Sequence, residues 1–460
     1  MDLLLTHGYF LSEDPKELQI MKPYAPLGIL YISSHLRQRG FDVEIYDATF
    51  GSREELLGIL EAGPPSVVGI GANLMTRRNA LDIAAAARAA GWKVVLGGPE
   101  PASYPREYLD AGAHVIVEGE AEVTMEELLP ALRSGDQAAL ERVNGIWFRR
   151  SDGTIARTPP RALISDLDAQ PWPDRERIDI EKYLQAWRER HGTGSVSVIT
   201  ARGCPYHCRW CSHATYGKTH RRRSPRAVAE EVEWILGRYH PEMLWMADDV
   251  FTIHPGWILE YAAEMKRRGL KIPFECITRA DRLNTRMAEA LAELGCFRVW
   301  IGSESGSQRI LDAMERGVTV GQVREAVRQC RAQGIQTGMF LMWGYAGEEV
   351  QDIAATVEHV KACRPDVFLT TVSYPIKGTP YYEEVAPRLV SIGAWEGTTD
   401  RELKIAGRHS RRFYQFADQW LKSAVALDRA NGNAAEAAAL AERMAAARQG
   451  IAESYEEVEA

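Results

Sequence analysis

Apolar residues in this chain follow two recurring patterns. Short, nearly continuous runs of branched and leucine residues alternate with longer stretches whose apolar positions return every three or four residues. The first pattern predicts buried strands and the second amphipathic helices. From the N-terminus, strands are predicted at Leu3–His7, Asp42–Tyr46, Val67–Gly71, Lys93–Leu96 and His114–Val117. Helices are predicted between them, at Leu27–Arg39, Ser52–Glu61, Arg77–Ala90, Tyr104–Ala111 and Val123–Arg133. Gly40 and Gly91 stand where a helix ends in a left-handed residue. Apolar strands that alternate with helices imply βαβ units and a parallel sheet covered on both faces. Residues 1–145 therefore predict a doubly wound, Rossmann-like α/β domain, whose ligands bind at the carboxyl ends of the strands.

Residues 146–190 break the pattern. Ser151-Asp152-Gly153 marks a hairpin turn, and Thr158-Pro159-Pro160 and Gln170-Pro171-Trp172-Pro173 are proline-rich, so the stretch reads as a linker with a small β excursion. From 191 to 385 the alternation resumes. Strands are predicted at Ser197–Ala201, Met243–Met246, Phe274–Thr278, Arg298–Gly302, Thr337–Met342 and Phe368–Ser373, with helices between them. About six βα units predict an incomplete parallel barrel, too short for eight, with function at the carboxyl ends of its strands. Residues 386–460 read as mostly helical, with an Ala-rich segment at Ala434–Arg448 and an acidic tail at Glu453–Ala460 expected to fray. Trp343, Tyr345, Tyr374, Trp395, Phe413, Tyr414 and Phe416 read as core, with an apolar substrate cavity as the alternative.

Charge narrows the partners. With 55 Lys and Arg against 63 Asp and Glu, the net charge is −8, which disfavours nucleic acid as a partner. No 18-residue apolar run predicts a membrane span, and no basic, apolar leader opens the chain. The seven cysteines are an odd number, which with no leader argues for a reducing cytoplasm rather than a disulfide framework.

Three of those cysteines share one loop, Cys204-Pro205-Tyr206-His207-Cys208-Arg209-Trp210-Cys211, directly after the first barrel strand. Soft thiolates at this C-x3-C-x2-C spacing select an iron–sulfur cluster or zinc. A structural zinc site takes four protein ligands, and His207 or His213 lies close enough in sequence to supply a fourth. Three thiolates on a four-iron cluster leave one iron open to an external ligand.

This loop resembles the signature of the radical S-adenosylmethionine (SAM) superfamily, including Trp210 before the last cysteine. The resemblance implies a 4Fe–4S cluster on Cys204, Cys208 and Cys211, with SAM on the open iron and Trp210 beside the cofactor. An external reductant such as flavodoxin or ferredoxin would drive cleavage of SAM to a 5′-deoxyadenosyl radical. It also implies SAM contacts at successive strand ends. Asp248 and Asp249 follow the second strand, where a Gly-Gly-Glu type motif usually meets the methionine amino group. Arg279 ends the third and pairs with the methionine carboxylate, Ser303 and Glu304 end the fourth at the ribose, and Met342, Trp343 and Gly344 end the fifth at adenine.

The N-terminal domain looks like the cobalamin-binding domain that precedes many radical SAM enzymes. The matching pieces are Pro26–Tyr31, the strand before Asn73, Gly97-Gly98-Pro99, Glu118-Gly119-Glu120, and the basic run Arg221-Arg222-Arg223, which otherwise reads as a solvated helix start or a phosphate contact. This implies cobalamin contacts at Asn73, Leu74, Met75 and Thr76, at Gly97, Gly98 and Pro99, and at Glu118 and Gly119. No Asp-x-His-x-x-Gly motif is present, so no histidine is expected below the cobalt, and His35 reads as a helix-surface residue. Ala121 stands where this group often has glycine. The expected function is a cobalamin-dependent radical SAM enzyme that methylates an unactivated carbon of a small-molecule or lipid-like substrate. Alternatives are a cyclase or rearrangement enzyme of the same type, a radical SAM enzyme with a vestigial cobalamin domain, a methylthiotransferase, and a non-enzymatic metal module. The methylthiotransferase usually brings further N-terminal cysteines, and residues 1–203 contain none.

Overall fold

The computed structural model describes residues 1–390, 393–430 and 434–460. Residues 391, 392 and 431–433, within the stretch read as helical, lie outside the described residues. The chain forms two compact units, one of residues 1–205, 212–245 and 394–399, the other of 206–211, 246–393 and 400–460.

In the first unit, strands Leu3–His7 (β1), Val43–Ile45 (β2), Val67–Gly71 (β3), Lys93–Gly97 (β4) and Val115–Val117 (β5) are parallel neighbours in the order β2-β1-β3-β4-β5. Leu4, Val68, Val94 and Ile116 join a core on one face, and Leu3, Leu5, Val67, Val95 and Val115 join a core on the other. Burial on both faces is why the inner strands are near-continuous apolar runs, whereas β2 at the sheet edge carries the exposed Glu44. The stretch read as a linker carries more structure than expected. Ile146–Arg149 (β6) and Ile155–Arg157 (β7) add to the same sheet as antiparallel strands, making seven in all, and Ile180–His191 is a helix. Arg77 also ties the segment Ala394–Thr399 into this unit. It donates to the carbonyls of Trp395 (3.2 Å) and Thr398 (2.7 Å), and its guanidinium lies 4.8 Å from the Tyr104 ring centre and 4.7 Å from that of Trp395.

Further along, Ser195–Val198 (β8) is followed after two residues by Ala201–Arg202 (β9), so the strand expected at Ser197–Ala201 is split. β9 pairs antiparallel with Arg221–Arg222 (β10). The remaining strands are Met243–Met246 (β11), Phe274–Thr278 (β12), Cys296–Glu304 (β13), Gln336–Trp343 (β14) and Val367–Val372 (β15). These later strands alternate with helices, as the βα units of an open barrel do. Within the second unit β12 to β15 are parallel, and β13 is bulged between Gly302 and Glu304.

Three expectations are corrected. His35 is fully buried, held by Gln170 (3.1 Å) and Glu126 (3.0 Å), because it extends the inward stripe of Leu27 and Tyr31 at four-residue spacing. The basic run is not a solvated helix start. Arg223 is buried on Glu231, Arg222 donates to Thr200 Oγ1 (2.8 Å) and Arg221 to Glu120 (2.7 Å). The acidic tail is docked rather than frayed: Glu459 pairs with Arg408 and Glu457 with Arg412, and Val458 bridges His409. Of residues 386–460, only the later part is long helix, at Arg411–Arg429 and Ala434–Glu453; Leu389–Val390 and Lys404–Ile405 instead form a short antiparallel ladder.

Candidate functional site

In the second unit the cysteine loop is fixed by backbone bonds at both faces of Arg209. Its N–H donates to the Met314 carbonyl (3.1 Å), and its carbonyl accepts from the Tyr381 N–H (2.9 Å). The Arg209 side chain pairs with Glu315 and Glu384, each at 3.0 Å. Cys208 is buried and Cys211 exposed. Trp210 packs on an apolar cluster that contains Met314, Met342 and Tyr345, so two expected site residues, Trp210 and Met342, share one cluster.

Two guanidinium groups flank the Cys208 sulfur, Arg316 Nη1 at 3.7 Å and Arg279 Nη1 at 3.9 Å. The two arginines differ in what they have left to offer. Arg279 donates to Asp281 (2.9 Å) and to the Arg316 carbonyl (2.8 Å), and its guanidinium lies 3.6 Å from the centre of the Tyr206 ring. Arg316 donates to the Gly302 carbonyl (2.9 Å), but its buried Nε has no hydrogen-bond partner.

Glu304 faces this pair. It sits at the β13 bulge with φ of 61°, a left-handed conformation that side chains seldom adopt, and its Oε1 lies 3.7 Å from Arg316 Nε. Desolvation raises its carboxyl above the usual range, opposed by Arg316 and Arg279. Ser303 points elsewhere. It has no exposed surface, and its hydroxyl meets His359 Nε2 at 3.1 Å, so the expected ribose contact is spent against a helix. Asp248 is buried and Asp249 exposed; desolvation raises the Asp249 carboxyl, and the Asp248 charge adds to the rise.

At the end of β14 the ladder with β13 stops at Leu341, while the ladder with β15 continues to Trp343. Gly344 has φ of 70°, and a Cβ there would run into the Tyr414 ring. Its N–H donates to Glu348 (2.6 Å), and its carbonyl accepts from the Ser373 hydroxyl (2.6 Å). Trp343 Nε1 and Glu348 Oε1 are buried without partners. Trp343, Tyr345, Phe413 and Tyr414 are buried, as core aromatics should be, and Trp395 is packed in the first unit.

The first unit holds the other group of expected residues. A cavity of about 130 Å³ opens along the sheet and is lined by six glycines, Gly28, Gly69, Gly71, Gly97, Gly98 and Gly119, with Tyr31, Glu120, Glu122 and Tyr216 among the polar walls. At Gly98, with φ of 112°, a Cβ would collide with the Ala72 carbonyl oxygen. Gly97, Gly98 and Gly119 are thus brought together. Glu118 is not, because it accepts from Trp147 Nε1 (2.9 Å) and pairs with Arg157 (2.7 Å). Asn73–Thr76 lies outside the lining and forms a turn, in which Asn73 Oδ1 accepts from the Met75 and Thr76 N–H groups, with Leu74 inside the turn. Pro99 also lies outside it. Cys204 belongs to this unit and is half-buried.

Sequence reasoning missed Arg316, Tyr206, Glu348, Glu120 and Glu122 as site residues. Arg316 follows Glu304 by a short helix and carries no motif; Tyr206 lies in the cysteine loop and Glu120 in Glu118-Gly119-Glu120, and neither carries a signal of its own. Among the described residues no three His, Cys, Asp or Glu side chains converge as ligands of one ion would.

Residues 198–360 match the Radical SAM superfamily, and residues 20–129 match the B12 binding domain. Together they define the class, radical SAM enzymes that carry an N-terminal cobalamin domain, and with it the cofactor set of a 4Fe–4S cluster, SAM and cobalamin. The chain belongs to that family. An uncharacterized methyltransferase of Pyrococcus horikoshii is 30% identical over 390 residues, 81% of this chain and 81% of the relative. The anaerobic magnesium-protoporphyrin IX monomethyl ester cyclase of Synechocystis sp. is 28% identical over 399 residues, 84% of this chain and 76% of the relative. The radical SAM methyltransferase TsrM from Kitasatospora setae, solved with cobalamin and a 4Fe–4S cluster, has the same fold, with a TM-score of 0.72 at 18% identity over 98% of this chain and 100% of that one.

Proposed function

We propose that this protein is a cobalamin-dependent radical SAM enzyme that methylates a carbon atom of a small-molecule substrate. When bound, the cluster supplies the electron that cleaves SAM, and cobalamin supplies the methyl carrier. Cys204, Cys208 and Cys211 hold the cluster. Arg316, whose buried Nε makes no hydrogen bond and faces Glu304 at 3.7 Å, takes the methionine carboxylate in preference to Arg279, whose donors are largely committed. Asp248 and Asp249 suit the methionine ammonium, and Glu304 the ribose hydroxyls. The end of β14 that lacks β13 partners faces adenine. The glycine-lined cavity is far smaller than a corrin ring, so it takes a flat group such as the nucleotide base, with the macrocycle over the strand ends.

The observation that carries this reading is one chain joining a C-x3-C-x2-C loop, with two guanidiniums at Cys208, to a glycine-lined cavity on a doubly wound sheet. The methyltransferase relative supports methylation, while the cyclase relative favours ring closure as a second reading. An external low-potential reductant and a cytoplasmic setting follow from the same chemistry. Among the described residues no helix is long and apolar enough to cross a membrane. The test is anaerobic incubation of the loaded protein with SAM labelled in its methyl group and a strong reductant. Formation of 5′-deoxyadenosine and a product heavier by one labelled methylene support methylation; a cyclised product carrying no label supports the second reading. No 5′-deoxyadenosine above that of a triple cysteine variant refutes both.

A further inference from the structure

The strand β9 ends at Arg202, two residues before the first cluster cysteine. Arg202 is buried, and its two terminal nitrogens reach two different carboxylates, Nη1 to Glu120 at 2.7 Å and Nη2 to Glu122 at 2.6 Å. Its guanidinium lies 5.0 Å from the centre of the Tyr31 ring and 5.5 Å from that of Tyr216. Arg221, on the partner strand β10, donates to Glu120 as well (2.7 Å) and to the Ile164 carbonyl (2.6 Å). Tyr31, Glu120, Glu122 and Tyr216 are all walls of the glycine-lined cavity. The next residue, Gly203, has φ of 86°, and a Cβ on it would strike the carbonyl oxygens of Tyr216 and Thr219. The backbone entering the cluster loop is thus clamped beneath the segment that forms one cavity wall.

Buried ion pairs of this kind contribute little net stability but fix geometry, since either partner left alone is costly. We infer that Arg202 is a positioning residue that couples the two cofactor sites: occupancy of the cavity orders Glu120 and Glu122, which hold Arg202 and so set Cys204 for ligation. This inference rests on the proposed cobalamin reading. Coupling between two binding sites is reciprocal, so a loaded cluster must tighten cobalamin binding by the same factor.

The test titrates hydroxocobalamin into the full chain, once with the cluster reconstituted anaerobically and once after iron removal by a chelator, with bound corrinoid read by absorbance. The wild-type protein is expected to bind about tenfold more tightly with the cluster in place. R202K keeps the charge but cannot bridge two carboxylates, and E122Q removes one arm while keeping its shape; in each the ratio should fall towards one. A role confined to stability would lower both affinities together and leave the ratio unchanged, which would overturn the coupling. Equal wild-type affinity with and without the cluster overturns the coupling and leaves the cobalamin reading standing. No hydroxocobalamin binding in either form removes both.

Discussion

Replacing Arg316 by methionine tests the SAM site where the structure is most specific. The guanidinium donates to the Gly302 carbonyl at 2.9 Å, lies 3.7 Å from the Cys208 sulfur, and buries an Nε that makes no hydrogen bond. Methionine keeps most of the volume and removes the charge. If Nε meets the methionine carboxylate of SAM, the lost charged hydrogen bond is worth about 1.5–3 kcal/mol. That corresponds to a loss in affinity of roughly tenfold to a hundredfold, at about 1.4 kcal/mol per factor of ten. Arg279→Met should weaken SAM less, because Arg279 is engaged by Asp281, the Arg316 carbonyl and the Tyr206 ring. Arg316→Lys, which retains charge without the fork, should fall between. The assay is equilibrium dialysis of SAM against anaerobic, cluster-loaded protein, with iron content measured on the same samples. Affinity within twofold of wild type in Arg316→Met, at full iron content, would refute the assignment.

Three further outcomes are expected. Changing Cys204, Cys208 and Cys211 together to Ala should abolish iron–sulfur absorbance, whereas Cys276, Cys296, Cys330 and Cys363, all buried apart from that loop, should be individually dispensable for iron. Glu348 is buried with its carboxyl raised to about 8, chiefly by desolvation, so the folded state holds a proton that the unfolded chain releases near 4.5. That stability is full below 4.5 and is lost as pH rises towards 8; Glu348→Gln, which still accepts from Gly344, should therefore gain on wild type in denaturation midpoint between pH 5 and pH 8. Glu231→Ala leaves Arg175 and Arg223 buried without their carboxylate and should cost about 3–5 kcal/mol by chemical denaturation.

The parallel strands were legible because their central positions feed cores on both faces of the sheet and are therefore runs of Leu, Val and Ile, although β2 carries the exposed Glu44 and β4 opens on the exposed Lys93. The hairpin of β6 and β7 was legible in its Ser151-Asp152-Gly153 turn, but not its membership of the sheet, since that depends on pairing with β5 rather than on any local pattern. The stripe of Leu27, Tyr31 and His35 was present in the sequence, but a histidine with two buried polar partners far along the chain cannot be told from a solvated one. The same holds for Glu457 and Glu459, whose arginine partners lie some fifty residues away. In the site, the cysteines announce themselves by local spacing. Arg316 does not, because its contacts with Cys208 and Gly302 are made by the tertiary fold. Ser303 and Glu304 are adjacent in sequence, and only the bulge and the left-handed Glu304 decide which one meets the guanidiniums.

Cobalamin retention tests the central claim most directly. The full chain, purified without oxygen, is incubated with excess hydroxocobalamin, desalted, and its absorbance spectrum recorded. The account predicts about one corrinoid per chain, sharply reduced in Gly98→Ala, where the added Cβ meets the Ala72 carbonyl and distorts the cavity. A colourless wild-type protein after desalting would contradict it.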